Sequence, residues 1–461
     1  MPQSPFLSET RSTLALAAPI VLVQVGMMTM GVADTLMVGR ISASALAAVA
    51  LGNLYTFVGL VGGMGVLMAL DPVVAQSLGA GDREAAARGV QRGLILAGTL
   101  TVPVTAFFLP VRFLLGALQQ PPEVVPDASG YVWASIPGIF PFLAFVVLRQ
   151  SLQAMHRTAP IVATILGANL LNVALNWALI FGHAGFPSLG AVGSAWATSA
   201  SRLAMALGLV IAARADLAPV LTPRRPRVLE VAPLRAMLRL GLPIAVQYQL
   251  EIGAFATIGL LMGYLGTREV AAHQIALNLA SLTFMVPLGI SAAAAVRVGH
   301  AVGRGDAAGV RRSASAASAL GVLFMGAMAV VLVAAPGVLA RAYTNEANVI
   351  AVAAILIPIA GFFQVFDGAQ VVAAGVLRGL GDTRAPMVIN VLGFWLVGMP
   401  LSLHLAFRAK AGPAGLWWGL VAGLGAVALL LAVRVVSRLR RALSRVAVER
   451  GSDPLPVEPS A

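Results

Sequence analysis

The sequence contains no cysteine. That excludes disulfides, thiolate metal centres and cysteine nucleophiles. Charge is scarce as well. Asp, Glu, Lys and Arg together make up 11% of the 461 residues, against about 25% in soluble globular proteins. The five histidines and 18 acidic residues are thinly spread, with no loop cluster of the sort a membrane-embedded transferase would need. The chain is therefore not expected to be an enzyme. Lysine is reduced to Lys410, so almost all of the positive charge is arginine.

What fills the chain instead is apolar. Hydrophobic residues reach 59% and mean hydropathy is +0.89. A soluble chain of this composition would expose far too much apolar surface, so the surplus must face lipid. The net charge of +13 does not point to nucleic acid, because the arginines lie between apolar runs and not among aromatics on a soluble module.

Apolar runs fall near 14–36, 46–70, 90–110, 131–152, 160–182 and 190–213, and again near 238–262, 272–296, 314–336, 349–373, 386–407 and 413–436. Each is long enough to span a bilayer as a helix. The expected fold is an all-α integral membrane protein of about twelve transmembrane helices. Residues 1–213 form one six-helix lobe and 238–441 a second. The stretch 214–237, with Pro219, Pro223, Arg224, Arg225, Pro226 and Arg227, reads as a linker, and 442–461 as a disordered cytoplasmic tail. Met1 to Arg11 is polar and leads into further spans without a cleavage site, so no secretory signal peptide is expected. Arginines favour one set of loops by about four to one, which puts both termini in the cytoplasm.

The two sets of runs are related. Leu16-Ala17-Ala18-Pro19-Ile20 matches Leu240-Gly241-Leu242-Pro243-Ile244, an offset (243 minus 19) of 224 residues. Gly79-x-Gly81-Asp82 matches Gly303-x-Gly305-Asp306 at the same offset. With six spans per half, corresponding helices run in the same direction, the parallel repeat of transporters, with two pseudo-symmetric lobes suited to alternating access. The Gly-x-Gly-Asp loops lack the Walker pattern and its strand-turn-helix setting, so ATP is not expected to drive the protein.

Acids within spans are costly, and each is a functional candidate. Asp34 lies late in the first span. The fifth span carries Asn169, Asn172 and Asn176, and the sixth Ser194 and Thr198, spaced to share helix faces. A carboxylate with amide and hydroxyl oxygens suits a proton relay or a small hard-cation site. The same asparagines would also serve to hold helices together. Glu251 and Asp367 lie within the seventh and tenth spans with no basic residue within easy reach on their own helices. Each is expected to be neutralised by a proton or a cation at rest. Gln247 and Gln274 are candidate neighbours. Asp71 reads as a solvated acid at a helix end, and His273 as a hydrogen-bonding residue at another. Arg202 falls within a span without an assigned role.

Four strings make a resemblance specific: Ala33-Asp34-Thr35-x-Met37-Val38-Gly39, Ala271-Ala272-His273-Gln274-Ile275-Ala276-Leu277-Asn278, Gly303-Arg304-Gly305-Asp306 and Gly379-Leu380-Gly381-Asp382-Thr383-Arg384. Together they resemble the multidrug and toxic compound extrusion family, in its bacterial branch, over nearly the whole chain. The resemblance implies efflux of lipophilic, often cationic small molecules in exchange for protons or sodium, with no other cofactor. It places the N-lobe cation residues on Asp34, Asn172, Asn176 and Thr198, where sodium would bind, and the C-lobe residues on Glu251 and Asp367. Family members usually carry an acid at the position of Asn176. Some carry a tyrosine one turn before the C-lobe Asp, where this chain has Phe363 and lacks that oxygen. Pro19 matches a proline proposed to bend the first helix. The implied setting is a bacterial inner membrane, with lipid and substrate as partners, no nucleic acid, and a monomeric chain. A flippase for lipid-linked precursors is the alternative within transport. It would call for a wider, more cationic cleft.

Overall fold

The computed structural model describes residues 5–442, 444–446 and 448, and every regular element among them is helical. Most of the tail expected at 442–461 therefore lies outside the described residues. Among the described residues, twelve helices are long and apolar enough to cross a membrane. In chain order they are α1 (Phe6–Val38), α2 (Ala43–Gly79), α3 (Arg83–Phe108), α4 (Val125–Ala154), α5 (Ala159–Phe181) and α6 (Gly190–Ala212), then α7 (Val231–Leu265), α8 (Thr267–Gly303), α9 (Ala307–Ala334), α10 (Ala347–Gly379), α11 (Arg384–Arg408) and α12 (Gly412–Leu439). Helices satisfy every backbone group internally, so long apolar runs become helices once water is absent.

The repeated Gly-x-Gly-Asp strings are turn devices. Gly81 and Gly305 have φ of 76° and 72°, the left-handed region that glycine enters without a Cβ penalty. The aspartate that follows caps the next helix. Asp82 Oδ1 accepts from the Ala85 N–H at 2.9 Å, and Asp306 Oδ1 from the Gly309 N–H at 2.7 Å. Such caps satisfy donors that a helix start leaves open. In the third copy Gly381 again has φ of 76°, but Asp382 holds Arg434 of α12 at 2.7 Å and Arg438 at 3.4 Å.

Two helices are irregular. A turn at Met68–Ala69 divides α2 into Ala43–Leu67 and Leu70–Gly79. Asp71 thereby enters the first turn of the second segment, where the helix dipole favours a carboxylate. The expectation of a solvated acid fails there, since Asp71 is 6% exposed. Helix α11 contains two π-helical stretches, Val391–Gly398 and His404–Arg408. Gly393 and Gly398 lie against the backbone of Gly423, and Ser402 Oγ donates to the Leu416 carbonyl of α12 at 2.9 Å. Small residues allow this close approach where apolar burial alone gives helices no reason to associate.

The segment read as a linker is tied down. It opens with a short helix, Arg214–Leu221. Gln91 of α3 donates to the Val220, Leu221 and Pro223 carbonyls and accepts from the Arg225 N–H. Arg92 donates to the Arg227 carbonyl at 2.9 Å.

The chain forms two compact units, with boundaries inside α1, α2 and α7. One contains the segment ending at Val21, residues Gly79–Gly81 and the chain from Val246. The other contains Leu22–Leu78 and Asp82–Ala245. The two boundaries within α1 and α7 are 224 residues apart (245 minus 21), and each follows the repeated proline, Pro19 or Pro243, by two residues. The first half of α1 belongs to the unit of α8 to α12. There Leu16, Ala17 and Ile20 join a core with Ile258 and Ile290, and Glu9 Oε1 accepts from Arg297 at 2.6 Å and Ser313 at 2.5 Å. The first half of α7 belongs to the unit of α2 to α6. There Gly241 abuts the Val66 backbone and Gly65 abuts that of Ala245. A Cβ at 241 would overlap the Val66 carbonyl. The G241A variant is expected to lose about 1–3 kcal/mol of stability through overpacking, seen as a lower thermal midpoint in detergent than an alanine substitution at the open position Gly263.

Candidate functional site

The strongest constellation lies in the unit of α2 to α6 and joins three helices. Asp34 of α1 is 4% exposed, Asn172 and Asn176 of α5 are fully buried, and Thr198 of α6 is 8% exposed. Asn176 Nδ2 donates to Asp34 Oδ1 at 2.5 Å and to Asn172 Oδ1 at 3.1 Å. Asn172 Nδ2 donates to Thr198 Oγ1 at 3.3 Å, and Thr198 Oγ1 donates to Asp34 Oδ2 at 2.7 Å. The four side chains thus close a ring in which both carboxylate oxygens accept. Asn176 Oδ1 remains buried without a partner. A buried acceptor left open is costly, and a cation or a protonated group would satisfy it.

The structure sorts the other candidates on this side. Ser194, one turn before Thr198, is buried with Oγ unpartnered and lies outside the ring. Asn169 does the tethering work foreseen for an amide in a span. Its Nδ2 donates to the Gly26 carbonyl of α1 at 3.0 Å and to the Ile165 carbonyl at 2.9 Å. It fixes α1 against α5 eight residues before Asp34. Pro19 lies inside a helix that continues through it.

A second cluster lies in the unit of α8 to α12. Glu251 of α7 shares a hydrogen bond with Gln370 of α10, and Asp367 lies one turn earlier on α10. Gln370 was not among the sequence candidates, although its spacing of three from Asp367 puts it on the same face. Gln247, one turn before Glu251, is buried. Gln274 is exposed and takes no part in these contacts, whereas its neighbour His273 turns inward. His273 was expected to find a hydrogen bond at a helix end. Instead it is 1% exposed, its Nδ1 has no partner, and its ring meets Trp417 edge-on at 5.7 Å. Phe363 is buried between Phe255 and Trp417, each 5.8 Å away and edge-on. The wall one turn before Asp367 is therefore aromatic and offers no oxygen.

The family profile named MatE matches this chain twice, over residues 19–178 and 243–403. The two matches begin 224 residues apart, the offset of the internal repeat. The chain belongs to the MatE family. Among its MatE relatives, a probable multidrug resistance protein NorM of Mesorhizobium japonicum is 38% identical, covering 95% of this chain and 96% of its own. Its namesake in Rhizobium meliloti is 39% identical, covering 94% of each. The fold matches that of the eukaryotic MATE transporter AtDTX14 at a TM-score of 0.87, with 23% identity over 94% of this chain and 98% of that one. A Vibrio cholerae MATE transporter gives 0.84, with 20% identity over 95% and 98%. The protein is thus a multi-pass bacterial membrane protein of a multidrug efflux transporter family, and not an enzyme.

Proposed function

We propose that this chain exports lipophilic, often cationic compounds in exchange for protons or sodium, by alternating access of two six-helix lobes. The observation that carries the reading is the closed ring at Asp34. It sets one carboxylate, two amides and a hydroxyl within the membrane, with an unpartnered amide oxygen at hand. Such a donor set holds a proton or a small hard cation equally well.

The cycle follows from charge. With Asp34 or one acid of the Glu251–Asp367 pair ionised, an organic cation finds a counter-charge inside the membrane. Uptake of a proton or sodium ion removes that counter-charge, and the substrate leaves outward. Release of the ion on the cytoplasmic side restores it. Only the difference in affinity between the two states can drive the exchange. The arginine bias supports cytoplasmic termini, and nothing in the cycle calls for more than one chain.

The test is ethidium export from proteoliposomes under an imposed proton gradient or an imposed sodium gradient. Export is expected under one of them. No export under either gradient, from protein that binds ethidium, would remove the antiport reading. Export under the proton gradient alone would favour a relay at Asp34. A strict need for sodium would make Asp34, Asn172, Asn176 and Thr198 the ion's ligands.

A further inference from the structure

Helix α6 carries a single charged side chain, Arg202, midway along the span. It stands one turn beyond Thr198, on the face that meets Asp34. Its guanidinium lies over the ring of Phe142, with Cζ 5.3 Å from the centroid. Its Nη1 is buried and carries no hydrogen bond. The turn at Ile136–Gly138 makes room for the stem. A Cβ at Gly138 would stand 3.2 Å from Arg202 Cδ and 2.9 Å from Ser199 Oγ.

A cation in lipid needs a reason to be there, and hydrogen bonding at Nη1 does not supply it. The neighbouring helices hold several ionisable groups: Tyr131, Asp127 and Arg149 on α4, Asp71 on α2 and Asp34 on α1. Of these, Asp34 is set on the face of Arg202 by its bond from Thr198, one turn earlier on α6. Asp34 is the acid that holds the ring together. Arginine suits this position because its flat, weakly hydrated group rests on an aromatic face and stays charged.

Two opposite charges therefore share the interior of one unit without touching. With Asp34 ionised the pair is neutral. A proton, a sodium ion or an organic cation placed on Asp34 leaves the arginine uncompensated. We propose that Arg202 is the fixed counter-charge of the Asp34 ring, a positioning residue that never contacts the transported cation but weakens the ring's hold on it, so that the cation is released. The proposal rests on the reading of the ring as a coupling site.

The experiment uses full-length R202Q and R202K in proteoliposomes, with export followed as the concentration of the driving ion is varied. R202Q removes the charge and is expected to reach half-maximal export at an ion concentration lower by on the order of tenfold, with a slower maximal rate because release is impeded. R202K is expected to restore the wild-type half-saturation. An unchanged half-saturation in R202Q would overturn the proposal, since charge would then not be the operative property. The stability of D34N, R202Q and the double variant gives a second readout that does not need transport. If the two charges interact, R202Q added to D34N costs less than R202Q added to the wild type. Strictly additive losses would count against the pair. Wild-type export by D34N would instead reject the ring as the coupling site, and so is distinguishable from failure of the arginine's role.

Discussion

Replacing Asp34 by asparagine is expected to reduce gradient-driven export to the level of empty liposomes while leaving a folded protein. The two halves of that expectation have separate causes. Asn has the shape of Asp, and its carbonyl can accept one of the two bonds that the carboxylate now accepts. Its NH2 group cannot accept, so one contact with Asn176 or Thr198 is lost. A buried donor left without its acceptor costs about 1–3 kcal/mol, less than the stability margin of a folded domain. The function fails for another reason. The ring's other members are neutral amides and a hydroxyl, so without Asp34 nothing in it changes charge when an ion arrives. With no acid to take up a proton and no negative charge to hold a sodium ion, the ring can no longer exchange an ion for an organic cation. The checks are export under both gradients and the thermal midpoint in detergent. Export at the wild-type rate would reject the ring as the coupling site, and aggregation would show that the carboxylate is structural.

Much of this was readable in the sequence because membranes make polar residues expensive. Asp34, Asn172, Asn176 and Thr198 stood out through cost and helical spacing, and they meet in one ring. The sequence did not show who donates to whom. Asn169 has the same residue type and nearly the same spacing as Asn172, but it lies three residues away and not four. That rotation of some 60° about the helix aims it at the backbone of Gly26 instead of the carboxylate. Ser194 shares Thr198's face and still lies outside the ring, because a turn of displacement along α6 exceeds the reach of a hydroxyl. Gln370 is a neutral amide and gives a weak signal unless its helix face is compared with that of Asp367. Arg202 was visible but had no role until its surroundings were known. The exchange of half-helices at Pro19 and Pro243 is tertiary. The repeat marks both prolines, but only packing shows that Glu9 bonds to Arg297 and Ser313, and that Gly241 seats on Val66.

The second large effect is expected at Asn176, where a change to aspartate would set a second carboxylate against the first. In the ring Asn176 Nδ2 donates to Asp34 Oδ1 at 2.5 Å and to Asn172 Oδ1 at 3.1 Å. In N176D that donor becomes an acceptor, so two acidic oxygens face each other inside the membrane. Like charges at such a distance do not both persist in a buried site, and one proton or one cation must sit between them. The variant should therefore hold its driving ion more tightly than the wild type. Tighter binding without a matching gain in the releasing state slows the cycle, because only differential affinity does work. N176D is expected to reach half-maximal export at a driving-ion concentration at least about tenfold lower, the effect of about one unit of differential binding, with a reduced maximal rate. Asn172→Ala makes the contrast. It removes a donor to Thr198 and an acceptor for Asn176 without adding charge, so it should lower the maximal rate and leave the half-saturation near the wild-type value. If N176D and N172A shift the half-saturation equally, the ring matters for packing and its charge does not. If only N176D shifts it, the number of carboxylates at this position sets how firmly the transporter grips its ion, and the asparagine in this chain makes it a weak-gripping, fast-releasing version of the site.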